Sequence, residues 1–362
     1  MLTDVVVVGG GLVGLMTAER LAREGLDVTL VDRSEPGAAW SGIGLVAPAL
    51  DGAAAPPLVD VVDDAVHRWP DWLVDADLAD QLPRAAGVLA VAESPFHRQE
   101  LERVRPRLER RYPTARWVAG GELAHVVPGL GRHIEAGIWH RDALRVVPHR
   151  LGTLLFASLL RRGGRVRWGT PVLALDVRGE RVHGVRLPGE ILPGGAVVLA
   201  TGAEAAGLWP DGAAPLPLAT QRWTEVVLEG VPPPSVAIVG RGRLVVPHDS
   251  GRVALVSATE AGDYRAAASA ATLRRTLDAA DLLPEVADGR VAAVTARLGP
   301  AMADGLPLMG GWAGLDGLVV AVGAGWHGLT LGPLMADVVY ALLFDVAVPF
   351  NLGPFRPDRG EA

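Results

Sequence analysis

Hydrophobic positions follow two rhythms near the start of this chain. Val5-Val6-Val7-Val8 is a short, continuous β-branched run closed by Gly9-Gly10-Gly11, the pattern of a strand buried on both faces. Leu12, Leu15, Met16 and Leu21 then recur at helical spacing, and Gly25 stops the helix expected over residues 12–24. Val28 to Val31 form a second apolar run that ends on Asp32. Strand, helix and strand in about 30 residues predict a right-handed βαβ crossover.

Further along, residues 40–57 turn to Gly, Ala and Pro and read as a loop. Helices are expected over 60–80, over the charged stretch 98–111, and over 149–161, where Gly163-Gly164 stop the last. A strand at 165–168 follows, then a small ribbon from 171–177 and 182–187, and a buried strand at 196–200. Short alternating runs at 223–229, 235–240, 243–247 and 252–257 predict an antiparallel sheet. A helix over 266–281, a strand at 318–322, a glycine turn and an apolar helix over 328–343 close the pattern. No internal repeat or low-complexity tract interrupts it. Because α/β and β-rich stretches alternate, one linear boundary does not fit. The expected fold class is α/β: a Rossmann-like parallel-sheet domain interleaved with a second domain built on an antiparallel sheet.

Composition narrows the chemistry. The 362 residues, 49% hydrophobic and 21% charged, suffice for two domains with sizeable cores. A net charge of -7 argues against a nucleic-acid partner, which usually needs a basic face. There is no cysteine, so disulfides, thiolate zinc sites and a cysteine nucleophile are excluded. All 34 basic residues are arginine, which excludes a lysine Schiff base and a Walker A lysine. The nine histidines are scattered without metal-ligand spacing, so no metal is assigned. The N-terminus lacks a cationic leader and no apolar run reaches spanning length. A cytoplasmic protein without a membrane partner is therefore expected.

Gly9-Gly10-Gly11-Leu12-Val13-Gly14 fits G-x-G-x-x-G between a strand and a helix. Gly9 permits the tight turn, Gly11 lets the backbone approach a pyrophosphate, and Gly14 lets the helix pack on the sheet. The helix N-terminus offers free N–H groups to phosphates. Asp32 ends the second strand, where a carboxylate accepts ribose hydroxyls and repels a 2′-phosphate, arguing against NADP. The motif leaves FAD and NAD open. Two later glycine turns, Ala200-Thr201-Gly202-Ala203 after a buried strand and Gly323-Ala324-Gly325-Trp326-His327-Gly328-Leu329 before a helix, suit a flat ring system. Each has a plain alternative as an ordinary αβ turn.

In this order the three glycine segments resemble the D-amino-acid oxidase superfamily, and within it the glycine oxidase and sarcosine oxidase-like flavoenzymes. Residues 4–32 match its opening fingerprint, and Trp40 to Pro48 resembles its flavin-facing segment. Val147-Pro148 through Thr170-Pro171-Val172 to Ala200-Thr201-Gly202 resembles the middle section. Arg297-Leu298-Gly299-Pro300 with Asp304-Gly305-Leu306-Pro307 resembles an R-P…D-G-x-P signature, and the tail Pro354-Phe355-Arg356-Pro357 completes the match. The resemblance implies an FAD-binding domain of residues 1–80, 144–217 and 297–362, with a substrate-binding domain of 81–143 and 218–296. The cofactor residues it implies are Gly9, Gly11, Gly14, Asp32, Arg33, Ser41, Gly44, Leu45, Val172, Thr201, Gly202, Gly325, Gly328, Leu329 and Thr330. Ser41 stands where some relatives carry a flavin-linked histidine, so FAD should be non-covalent.

The implied reaction is hydride transfer from the Cα–H of a small amine or amino acid to flavin, with O2 as the final acceptor. Arg297 is expected to anchor a substrate carboxylate through its planar fork. Glycine oxidases carry a tyrosine where this chain has Leu244, and a polar or cationic residue where it has Trp326 and His327. Leu244 and Trp326 thus predict a more apolar pocket and a larger donor than glycine. Sarcosine oxidase-type enzymes activate oxygen with a lysine; here His327, when protonated, is the candidate charge. The competing readings are a dehydrogenase with another acceptor, a flavin-carrying subunit of a complex, and an NAD-binding reductase. A homo-oligomer is left open. Asp60, Asp63 and Asp64 read as a solvated helix face, Trp69 and Trp72 as core.

Overall fold

The computed structural model describes residues 3–33, 43–50, 54–79, 87–210, 215–248, 251–261 and 267–359. Thr3–Val8 is the centre of an eight-stranded sheet, parallel to Glu190–Leu199 on one side and Val28–Val31 on the other. Arg165–Arg167 extends it beyond Val28–Val31, and Leu315–Val322 lies parallel to Glu190–Leu199. Period-2 alternation splits the first strand between two cores. Val5 and Val7 join a cluster with Leu15, Met16, Leu151, Leu155, Leu331 and Met335 of the helices Leu12–Arg23, Pro148–Arg161 and Gly328–Leu343. Val6 and Val8 pack instead against the antiparallel ribbon Ala174–Arg178 and Arg181–Leu187. The strand expected at 196–200 starts earlier: Glu190–Leu199 opens as the antiparallel partner of Arg181–Leu187 and ends parallel to the first strand.

The second sheet also has eight strands. Arg290–Met302 lies at one edge beside Leu218–Glu229, followed by Val253–Ala261, Arg243–Pro247, Ala237–Val239, Val88–Val91, Ala136–His140 and Ala115–Ala119. Every pairing is antiparallel except Ala237–Val239 with Val88–Val91. Sequence periodicity misses several of these strands, most notably Arg290–Met302. Its run Val-Ala-Ala-Val-Thr-Ala-Arg has many residues of low strand propensity, and pairing along Leu218–Glu229 holds it extended. This strand runs through position 297. The two sheets draw alternately on the chain, the first from 3–31, 165–199 and 308–322, the second from 88–140 and 218–302.

Helix boundaries move for local reasons. Pro56–Asp75 starts ahead of the expected 60–80, because Pro56 and Pro57 take the first helical positions, where a missing N–H costs nothing. Pro95–Arg111 is capped by Ser94, whose Oγ accepts from His97 N at 3.2 Å. The expected helix 266–281 shortens to Ala270–Leu277, capped by Ser269 and continued by a 3₁₀ turn. Trp69 and Trp72 are core. The solvated reading of the carboxylates fails at one position: Asp63 is buried, pairs with Arg107 and accepts from Tyr112 Oη at 3.0 Å. The helix Pro95–Arg111 brings that arginine across from a distant part of the sequence. Among the described residues no helix is long and apolar enough to cross a membrane.

Candidate active site

A cavity of about 1160 Å³ opens beyond the C-terminal ends of the parallel strands, where open α/β sheets place their ligands. At one end it is lined by the glycine turn Gly9-Gly10-Gly11. Gly9 has φ +108°, and a Cβ there would run into the carbonyl of Ala200. A Cβ on Gly14 would run into the Gly9 carbonyl, so Gly14 serves helix–turn packing and does not itself line the space. Asp32 closes the turn by accepting from Gly10 N at 2.5 Å, and the Trp168 indole lies against Gly10. Leu12–Arg23 begins without a side-chain cap on Gly11, so its first N–H groups are free for an anion.

Most residues expected around the cofactor meet at this cavity. Gly9, Gly11, Asp32, Arg33, Gly44, Leu45, Val172, Thr201, Gly202, Gly325, Gly328 and Leu329 all line it. Arg33 reaches across the rim to Glu204. Thr330 is buried behind the lining, its carbonyl accepting from Trp69 Nε1 at 3.0 Å. Ser41 lies outside the described residues. Two observations test whether FAD fits here: the uncapped helix start, and Thr201 Oγ1, which is buried without a hydrogen-bond partner beside the cavity. The volume also exceeds a usual small-ligand pocket, about 300–1,000 Å³, as cofactor plus substrate requires. The residues present fit the group. Among the described residues no three His, Asp or Glu side chains converge as metal ligands do.

The opposite wall is made of side chains on paired strands. Trp223 faces Arg297 across the Leu218–Glu229 and Arg290–Met302 ladder, and Glu225 faces Thr295. Alternation puts Trp223 and Glu225 on one face with Thr295, Arg297 and Gly299, and all five line the cavity. Arg297 Nη1 stands 3.8 Å from Glu225 Oε2, diagonally across the ladder. Their side chains are 22% and 14% exposed. Arg297 Nε is buried without a hydrogen-bond partner. Burial pushes the guanidinium pKa down from its ordinary value, while Glu225 works in the opposite direction.

An R-P signature sets its arginine directly before the proline. Here Gly299 holds that place before Pro300, and Arg297 stands two residues back on the same face, about 7 Å along the strand. A Cβ at Gly299 would sit in ordinary contact with Trp223, 3.4 Å from its indole nitrogen. Trp223 in turn packs on Trp326, with ring centroids 4.5 Å apart. Leu244 is buried in the apolar cluster behind this pair and does not line the cavity. His327 is also absent from the lining; its N–H donates to the Ala324 carbonyl at 2.9 Å, ending the 3₁₀ turn Gly325–His327. His140 lies elsewhere, against Tyr112 at 4.8 Å between centroids. Sequence reasoning missed Trp223 and Glu225. Their alternation with buried Arg222, Thr224 and Val226 was the available signal.

Comparison with known proteins gives a concordant result. The family described as FAD dependent oxidoreductase matches residues 4–342. A glycine oxidase of Pseudomonas aeruginosa is 29% identical over 98% of each chain. The solved glycine oxidase of Geobacillus kaustophilus superposes with a TM-score of 0.88 at 23% identity, over 99% of this chain and 98% of the other. An iminodiacetate oxidase from Chelativorans sp. BNC1 superposes with a TM-score of 0.85 at 23% identity, over 98% and 99%.

Proposed function

This chain belongs to the FAD dependent oxidoreductase family, and we propose that it is an oxidase of a small amine or amino acid that holds FAD non-covalently. One observation carries the reading: a single cavity joins the dinucleotide turn Gly9–Gly14 and the late glycine turn to the guanidinium of Arg297. When bound, FAD supplies the acceptor for a hydride leaving the donor's Cα–H, O2 takes the electrons on to H2O2, and the imine left behind hydrolyses. The chain's own residues bind and orient. Gly9, Gly11 and the helix start would hold the pyrophosphate, and Asp32 the ribose. Val172 would serve the adenine side, and Gly44, Leu45, Thr201, Gly202, Gly325, Gly328 and Leu329 would hold the rest of the cofactor. Arg297 would dock the donor's carboxylate and so orient its Cα–H, and positioning would supply most of the acceleration. Trp223 and Trp326 give the apolar wall that a donor larger than glycine fills. In domain terms, residues 1–80, 144–217 and 297–362 are assigned to the flavin and the remainder to the substrate, with Arg297 at their junction.

The test is a visible spectrum of the purified protein, followed by anaerobic titration with glycine, N-methyl and bulky D- and L-amino acids. A yellow protein bleached by at least one amino donor is expected; a yellow protein bleached by none would remove the amine reading.

A second reading, electron delivery to an acceptor other than O2, is favoured by one feature. The chain has no lysine, and among the described residues His327 does not line the cavity, where the cationic side chains are Arg33 and Arg297. Mixing reduced protein with air-saturated buffer separates the two: fast reoxidation belongs to the oxidase, slow reoxidation to the dehydrogenase.

A further inference from the structure

We infer that Glu225 is a substrate-binding residue that selects zwitterionic amino acids: its carboxylate takes the donor's ammonium while Arg297 takes the donor's carboxylate. This rests on the reading above and names the donor class of the same site.

The starting point is an imbalance of charge and hydrogen bonding. Arg297 and Glu225 are both mostly buried, and at 3.8 Å they attract without reaching hydrogen-bond distance. Arg297 Nε is enclosed with no acceptor. Elsewhere in this protein a buried carboxylate is fully engaged: Asp63 holds Arg107 and accepts from Tyr112. Burying two charges is costly and is repaid only when hydrogen bonds satisfy them. A structural ion pair on this wall would therefore close up. This pair stays open onto the cavity that both residues line.

The open geometry matches one class of ligand. Register places the two head groups diagonally across neighbouring strands, with opposite charges presented side by side. An α-amino acid carries its ammonium and carboxylate on one carbon, so both meet their opposites at once and the four charges alternate. A carboxylate without the amine meets Arg297 but also the unscreened repulsion of Glu225. An amine without the carboxylate leaves the guanidinium unpaired. Beside the pair, the indoles of Trp223 and Trp326 supply a surface for an aromatic or bulky apolar side chain.

The test uses the flavin-loaded protein and two probes that cannot be turned over. α-Methylphenylalanine has no Cα–H, and 2-methyl-3-phenylpropanoate is the same skeleton without the amine. Binding is read from the perturbed flavin spectrum, so activity is not needed. Wild type is expected to bind the amino acid at least about tenfold more tightly than the bare acid, the scale of one charge-assisted contact. Glu225→Gln is expected to reverse that order, weakening the amino acid and tightening the bare acid, each by about tenfold. Glu225→Asp, which keeps the charge, is expected to restore the wild-type order. Equal binding of the two probes by wild type overturns the inference whether or not any variant folds. An unchanged order in a yellow Glu225→Gln protein does the same. If no amino compound bleaches the flavin yet the order still reverses, the oxidase reading fails and the zwitterion site stands.

Discussion

At one end the cavity is lined by the glycine turn Gly9-Gly10-Gly11, where a Cβ on Gly9 would strike the Ala200 carbonyl; at the other it is lined by residues of two paired strands. The first end is written in neighbouring residues. Gly9, Gly11 and Gly14 act within one turn, and any chain that must bring its backbone to a pyrophosphate meets the same steric demand. The second end depends on register, because Trp223, Glu225 and Arg297 share a face only through the ladder that pairs Trp223 with Arg297. Pyrophosphate binding would consequently rest on sterics that admit little variation. Substrate choice is carried by exchangeable side chains on a stable sheet.

This contrast can be broken most severely at Gly14. A Gly14→Val substitution forces a side chain into the Gly9 carbonyl, at a cost on the order of 3 kcal/mol, and displaces the turn. Protein that is destabilised and colourless is expected; the flavin-to-protein absorbance ratio and denaturant unfolding measure both, and an unaltered yellow protein would refute the steric account. A change at the other end should spare the flavin. Trp223→Ala is expected to keep the full flavin content while kcat/KM for aromatic donors falls about tenfold, as loss of an apolar wall implies. A fall in flavin content would mean that the two ends are not separable.

A smaller effect lies outside both ends. His140 is buried against Tyr112, and burial holds its pKa below the ordinary 6.5; His67 acts in the same direction, while Asp142 and Asp63 oppose it. A depressed histidine pKa means that the unfolded chain takes up the proton first. The contribution is therefore complete above 6.5 and is lost as pH falls from there through the folded value. Thermal melts should show Tm dropping by a few degrees between about pH 7 and 5, and dropping less in His140→Phe. Parallel curves for both proteins would assign the acid sensitivity to other groups.

What the sequence discloses follows the same division. The βαβ unit is legible because strand, glycines, helix and Asp32 fall within one local stretch, and the interleaving of two sheets is legible from alternating composition. Arg290–Met302 is not, since its alanines and glycine carry little strand preference and its partner is remote. Asp63 misleads for a related reason: its spacing with Asp60 and Asp64 suggests a wet face, while Arg107 and Tyr112 arrive from another part of the chain. Arg297 is visible as a candidate. Its displacement by two residues from the signature position, and the glutamate and indole that come with it, become meaningful only once the ladder is known.

The most direct test of the account is anaerobic rapid mixing of Arg297→Ala with an amino-acid donor that bleaches the wild-type flavin. Wild-type flavin content is expected, with a flavin-reduction efficiency lowered about a hundredfold or more, the scale of removing a desolvated charged contact. Reduction at the wild-type rate and donor dependence would contradict it.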